Sequence, residues 1–147
     1  IMKKILIFLF FLILSNCTTF VFNEENVVCP KITSPKGAEQ LIANLENDVK
    51  TYVGFRGIKS KCFSKGENIK MLLQVKIRAI RQNIKADEKI PLFITLVSID
   101  KNKKEYDRDK LNYNLFLREN RKTIEFKTKM SVLVPSKGEV LIGMKMR

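Results

Sequence analysis

An antiparallel β-sandwich of the immunoglobulin-like or fibronectin-like kind is the fold this sequence predicts. Three observations predict it. From Tyr52 onward apolar residues recur at every second position, which puts them on one face of a pleated strand. The alternating segments are separated by short polar links rich in Gly, Pro, Asn, Asp and Ser, the residues that turns require. At 147 residues and 45% hydrophobic, the chain suits one domain with one core. A small closed barrel of the OB type meets the same pattern, and alternation alone does not separate the two.

Val27-Val28-Cys29-Pro30-Lys31-Ile32 reads as a first edge strand, because Pro30 lacks the N–H that an interior strand would donate. Pro35 to Val49 carries Ala38, Leu41, Ile42, Leu45 and Val49 at helical spacing, which predicts a short amphipathic helix over one end of the domain. Tyr52 to Phe63 is extended and runs to Cys62, with Gly54 and Gly57 open to a bulge. Ser64 to Asn68 turns the chain. Met71, Leu73, Val75, Ile77 and Ala79 then alternate with Leu72, Gln74, Lys76, Arg78 and Ile80, three of these five polar, the pattern of a strand with one buried face.

After a polar break from Gln82 to Lys89, Ile90 to Ile99 is apolar on both faces, as a central or covered strand would be. Asp100 to Arg108 is a charged link, and Leu111, Tyr113, Leu115 and Leu117 alternate again. Ile124 to Val134 has the cleanest alternation, Pro135 to Gly138 turns it round, and Val140, Ile142, Met144 and Met146 form a last strand. The count is six or seven strands with one small helix near the start.

The first sixteen residues read differently. Lys3 and Lys4 precede Ile5 to Leu14, ten residues of Ile, Leu and Phe alone. At about 1.5 Å per residue a helix of that length reaches about 15 Å, half the hydrocarbon core, so it reads as a secretory leader and not as a span. Met2 is taken as the start. Leu14-Ser15-Asn16-Cys17 resembles the lipobox of bacterial lipoproteins, in which the Cys17 thiol takes a diacylglycerol and the leader 1–16 is removed. Asn16 departs from the small residue usual there, and a plain secretory signal with an ordinary Cys17 thiol is the alternative. Two acyl chains exceed the single-chain regime of reversible binding. The resulting protein is anchored to the membrane through Cys17, with residues 17–28 as a tether and 29–147 as the domain. By the sorting rule of enteric bacteria, Thr18 favours the outer membrane, with the domain facing the periplasm; the inner membrane is the alternative.

Export bears on the other two cysteines. Removing Cys17 from a total of three leaves Cys29 and Cys62 as an even pair in an oxidising compartment, where a disulfide is their simplest use. A zinc site would want four close ligands, and the sequence holds no histidine and no CxxC. No cofactor or metal is expected.

The formal charge is +13, from 28 basic and 15 acidic residues. Such a balance suggests nucleic acid or an anionic membrane face. Lysine supplies 21 of the 28, beside abundant Asn and Ile, which is the mark of an AT-rich coding bias; the phosphate-forking Arg is sparse. The runs Lys59, Lys61, Lys65 and Lys101, Lys103, Lys104 read as solvated turns, although Tyr52, Phe55 and Phe63 beside the first would suit stacked bases. For an exported protein, nucleic acid is not the expected partner. Catalysis is not expected either. Without histidine the commonest general base is missing, Asp87-Glu88 and Asp107 with Asp109 read as solvated loop carboxylates, and Ser98, Ser131 and Ser136 lack a partner.

From the lipobox onward the chain resembles a family of small alphaproteobacterial envelope lipoproteins. That family has a Cys-Pro soon after the anchor, a second Cys at a turn before an alternating strand, and a Pro-x-Phe-hydrophobic strand. Cys29-Pro30, Cys62-Phe63 and Pro91-Leu92-Phe93-Ile94 match, whereas Gln82-Asn83 stands where relatives often have Gly-Pro. The resemblance implies export and the fold, and brings no activity. The expected function is a lipid-anchored structural or binding module that contacts another envelope protein; a periplasmic carrier of a small ligand or lipid is the alternative, and a nucleic-acid-binding barrel a more distant one.

Overall fold

The computed structural model describes residues 26–45 and 49–147. The leader, Cys17 and most of the tether lie outside the described residues. Eight strands follow in order: β1 (Ile32–Thr33), β2 (Gln40–Leu45), β3 (Val49–Lys65), β4 (Asn68–Arg81), β5 (Glu88–Ile99), β6 (Glu105–Leu117), β7 (Thr123–Val134) and β8 (Glu139–Met146). They form two four-stranded sheets, β2-β3-β4-β7 and β1-β8-β5-β6. The sheets stack without closing, so the sandwich expectation holds and the OB-like barrel does not.

Alternation builds the core. Met71, Leu73, Val75, Ile77 and Ala79 of β4 face inward with 2% exposure or less, opposite Ile90, Leu92, Ile94 and Leu96 of β5. Met130, Val132 and Val134 of β7 and Val140, Ile142 and Met144 of β8 complete the layer. Each large aliphatic side chain so buried stabilises by about 1.5 to 3 kcal/mol before conformational entropy is counted. β5 lies between β8 and β6, as its two apolar faces predict. Its outer residue Phe93 is covered by the cations of Lys110, Lys145 and Arg147, at 4.1, 5.9 and 5.9 Å from the ring centroid.

Four expectations are corrected. The helix over Pro35 to Val49 does not form. Residues 36–39 are a turn and bend, and Gln40–Leu45 is a strand paired antiparallel with β3 through Leu41↔Val53 and Ala43↔Thr51. Over six residues the apolar positions satisfy both periods, and the open edge of β3 decides for the strand. Consequently the strand count is eight. The first edge strand is also shorter than expected. Asn26 bridges Phe63 on the first sheet, the chain crosses between layers, and only Ile32–Thr33 pairs, parallel to β8. Cys29 therefore lies in the crossover. Finally, the charged link ends earlier, at Lys104, because Glu105 already pairs with Ile99.

Two turns depend on local backbone chemistry. Gly66 has a φ of 61° between β3 and β4, in the left-handed region that glycine occupies at no steric cost. At Gly138 a Cβ would stand 2.8 Å from the carbonyl oxygens of both Ile99 and Pro135. The expected bulge in β3 occurs between Phe55 and Gly57.

A basic sheet face as candidate functional site

Cross-strand register converts scattered lysines into one surface. In β4 the residues between the buried ones point outward, and their partners on β3 and β7 point the same way. Reading along β4, the outward rows are Tyr52-Ile80-Thr123, Gly54-Arg78-Glu125, Gly57-Lys76-Lys127, Lys59-Gln74-Lys129, Lys61-Leu72-Ser131 and Phe63-Lys70-Leu133. The last five rows hold seven basic residues and one acid. Lys59 and Lys61 thus belong to a strand and not to a turn, which corrects that expectation; Lys101, Lys103 and Lys104 do lie in or beside the 100–104 turn.

Glu125 is the local counter-charge. Lys76 Nζ lies 2.8 Å from its Oε2, and Arg78 Nε donates to Oε1 at 2.6 Å. The hydrogen bond from Lys76, followed by that from Arg78, holds the Glu125 carboxyl below its ordinary value of 4.5. A lowered folded-state pKa contributes stability above the unfolded value, and that contribution is lost as pH falls through the folded one. Thermal unfolding followed against pH should therefore show the Glu125→Gln variant differing from the parent above about pH 4.5 and converging with it in more acidic solution. Among the described residues, the salt bridges on this face all end on Glu125, which leaves Lys59, Lys127 and Lys129 without a carboxylate within 4.0 Å.

Lys59, Lys61 and Lys129 border a groove of about 850 Å³ whose floor includes Leu72 and Gln74. Asp109 of β6 closes one side, its carboxylate accepting the Ser131 N–H at 2.9 Å. At the end of the face an apolar row crosses three strands, Ile42 opposite Tyr52 and Tyr52 opposite Ile80. These side chains are 50%, 42% and 39% exposed.

Of the carboxylates and hydroxyls singled out from sequence, Asp87, Ser98, Asp107 and Asp109 are engaged with backbone. Asp107 accepts the Leu133 N–H at 2.7 Å, so it and Asp109 satisfy donors on the free edge of β7. Ser98 donates to the Leu133 carbonyl at 2.6 Å, and Asp87 accepts from the Glu119 N–H at 2.6 Å. Glu88 accepts from Thr51 at 3.1 Å and lies 3.9 Å from the Arg81 guanidinium. Ser136 sits in the turn before β8. Cys29 and Cys62 form a disulfide with Cα atoms 5.3 Å apart. Sequence reasoning missed the apolar row and the adjacency of Lys76 with Lys127. The alternation of β4 and β7 carried half of that signal, but register between strands did not follow from it.

Fold and surface together define an all-β, disulfide-linked sandwich with one basic sheet face. No family model matches the chain, and no curated protein does. Among solved structures, the trimeric lipoprotein SadB of Salmonella enterica is similar with a TM-score of 0.36 and 7% identity, over 76% of this chain and 57% of that one. The chain thus spans little more than half the length of that neighbour.

Proposed function

We propose that this protein is a lipid-anchored lipoprotein of the cell envelope whose β-sandwich is a non-catalytic binding module. In this account the leader 1–16 is cut, the Cys17 thiol carries the lipid, and the domain faces the periplasm from the outer membrane, where it contacts another envelope protein. The observation that carries it is the Cys29–Cys62 pair, brought to bonding distance across 33 positions of sequence. A bridge of this kind persists in an oxidising compartment, so its presence beside an apolar leader supports export. The side chains filling the space between the sheets stand against a carrier role, since a carried lipid would need that volume.

Mass spectrometry of the native protein tests this directly. The expected product begins at Cys17, carries two or three acyl chains and is two hydrogen atoms lighter than the dithiol. Cys17→Ser should move the protein from the membrane fraction to the soluble one. A cytosolic product that retains Lys3 and Lys4 with free thiols would overturn the proposal.

A further inference from the structure

The described chain starts at the edge of the basic face. Asn26 bridges Phe63 of β3, the row next to Lys61, and the Val27 N–H donates to the Cys62 carbonyl at 3.1 Å. Eight residues, nine peptide steps, separate Cys17 from Asn26. However they are arranged, they reach no farther than about 30 Å. A domain anchored at Cys17 therefore stays close to one bilayer, and the nearest edge of its first sheet is the edge of its most basic surface.

We infer that the outer face of β3, β4 and β7 docks on the anionic phospholipid headgroups of the bilayer that holds the anchor. This rests on the anchored reading above. Charge complementarity commits the face to that occupant: Lys59, Lys127 and Lys129 are unpaired at its centre, and the groove beside Lys61 has room for a phosphate headgroup, its three lysines outweighing Asp109, whose carboxylate is held on the Ser131 N–H. The row Ile42-Tyr52-Ile80 adds what a soluble polyanion would not use. It is an exposed apolar strip on the same plane, with a tyrosine whose ring and hydroxyl suit the boundary between acyl chains and water. The outer face of the opposite sheet holds fewer cations, Lys89 over Phe116, Lys110, Lys145 and Arg147 gathered on the ring of Phe93, and Arg108 paired with Glu105 at 2.6 Å. With the anchor holding the domain within reach, even weak adsorption orients it face-down, because the second contact is intramolecular.

Co-sedimentation of residues 26–147 with phosphatidylglycerol vesicles and with phosphatidylcholine vesicles tests the inference. This piece contains both sheets, the core and the bridge, so it carries what its own folding needs. It also lacks Cys17, so its binding is judged apart from lipidation. Retention on phosphatidylglycerol alone is expected. Changing Lys59, Lys127 and Lys129 to Glu should lower retention more than about 100-fold, each lysine near an anionic surface being worth about fivefold. Lys101, Lys104 and Lys137 to Glu, the same charge change in loops, should lower it far less. Glu125→Gln, which frees Lys76 and Arg78, should raise retention about fivefold by the same scale. Equal losses in the two lysine triples, no preference for the anionic vesicle, or tighter retention on single-stranded oligonucleotide than on phosphatidylglycerol would each overturn it.

Discussion

Arg81→Met should lower the stability of the domain by about 3 to 5 kcal/mol, the range for removing one partner of a buried charged network. Among the described residues Arg81 is the largest fully buried side chain, and it is charged. Its guanidinium donates to the carbonyls of Arg121 at 2.8 Å, Ala86 at 2.5 Å, Leu117 at 3.4 Å and Arg118. Leu117 ends β6, and the other three belong to the two links, 82–87 and 118–122, that carry the chain from one sheet to the other and back. A single planar fork therefore holds both crossovers to the end of β4, and methionine would fill its volume while leaving the carbonyls without donors. Urea unfolding is the measurement. The midpoint should fall with the slope unchanged, and Arg81→Lys should recover only part, since an ammonium cannot span the same set. A loss under about 1 kcal/mol in the methionine variant would show that the links hold themselves.

Reducing the Cys29–Cys62 bridge should cost about 3 to 4 kcal/mol in the chain-entropy account, for a loop closed across 33 positions. The bridge fastens the inter-layer crossover to β3, beside the Asn26–Phe63 pairing and the bond from the Val27 N–H. Besides a lower unfolding midpoint in dithiothreitol, the Val27 amide should exchange faster than amides in β4 or β5, because that segment has little other pairing. An unchanged midpoint would mean that β1 and the turn before β2 suffice to hold the start of the domain.

Much of the fold was legible in the residues. β4, β7 and β8 alternate cleanly because one face of each is buried and the other meets water, and β5, apolar on both faces, lies between β8 and β6 with its outward residues half-buried. Gly66 and Gly138 mark turns whose geometry needs glycine. The misreading of Gln40–Leu45 as helix has a definite cause. Leu41 and Ala43 point inward and Ile42 outward, yet Ala38, Leu41, Ile42 and Leu45 fit a helical stripe equally well, and six residues are too few for either period to dominate. Pairing with β3, nonlocal in origin, selected the strand. The fate of Arg81 was likewise hidden, because nothing local to a strand-end arginine announces that it will point inward and collect carbonyls from the link that follows it and from another some 40 residues on.

The candidate face divides in the same way. Alternation placed Lys76 and Arg78 on the solvent side of one strand and Lys127 and Lys129 on that of another, but which lysine stands beside which depends on inter-strand register. A slip of one residue would have turned the whole set to the other side.

Composition and periodicity were enough for the strand-rich class and for the expectation that Cys29 and Cys62 pair. Both signals are local. Only the tertiary structure decided that Ile42, Tyr52 and Ile80 form one row, that seven bases share a face with a single acid, and that Asn26 enters at its edge. Those facts depend on hydrogen bonds between segments far apart in the chain, and no window along the sequence contains both partners.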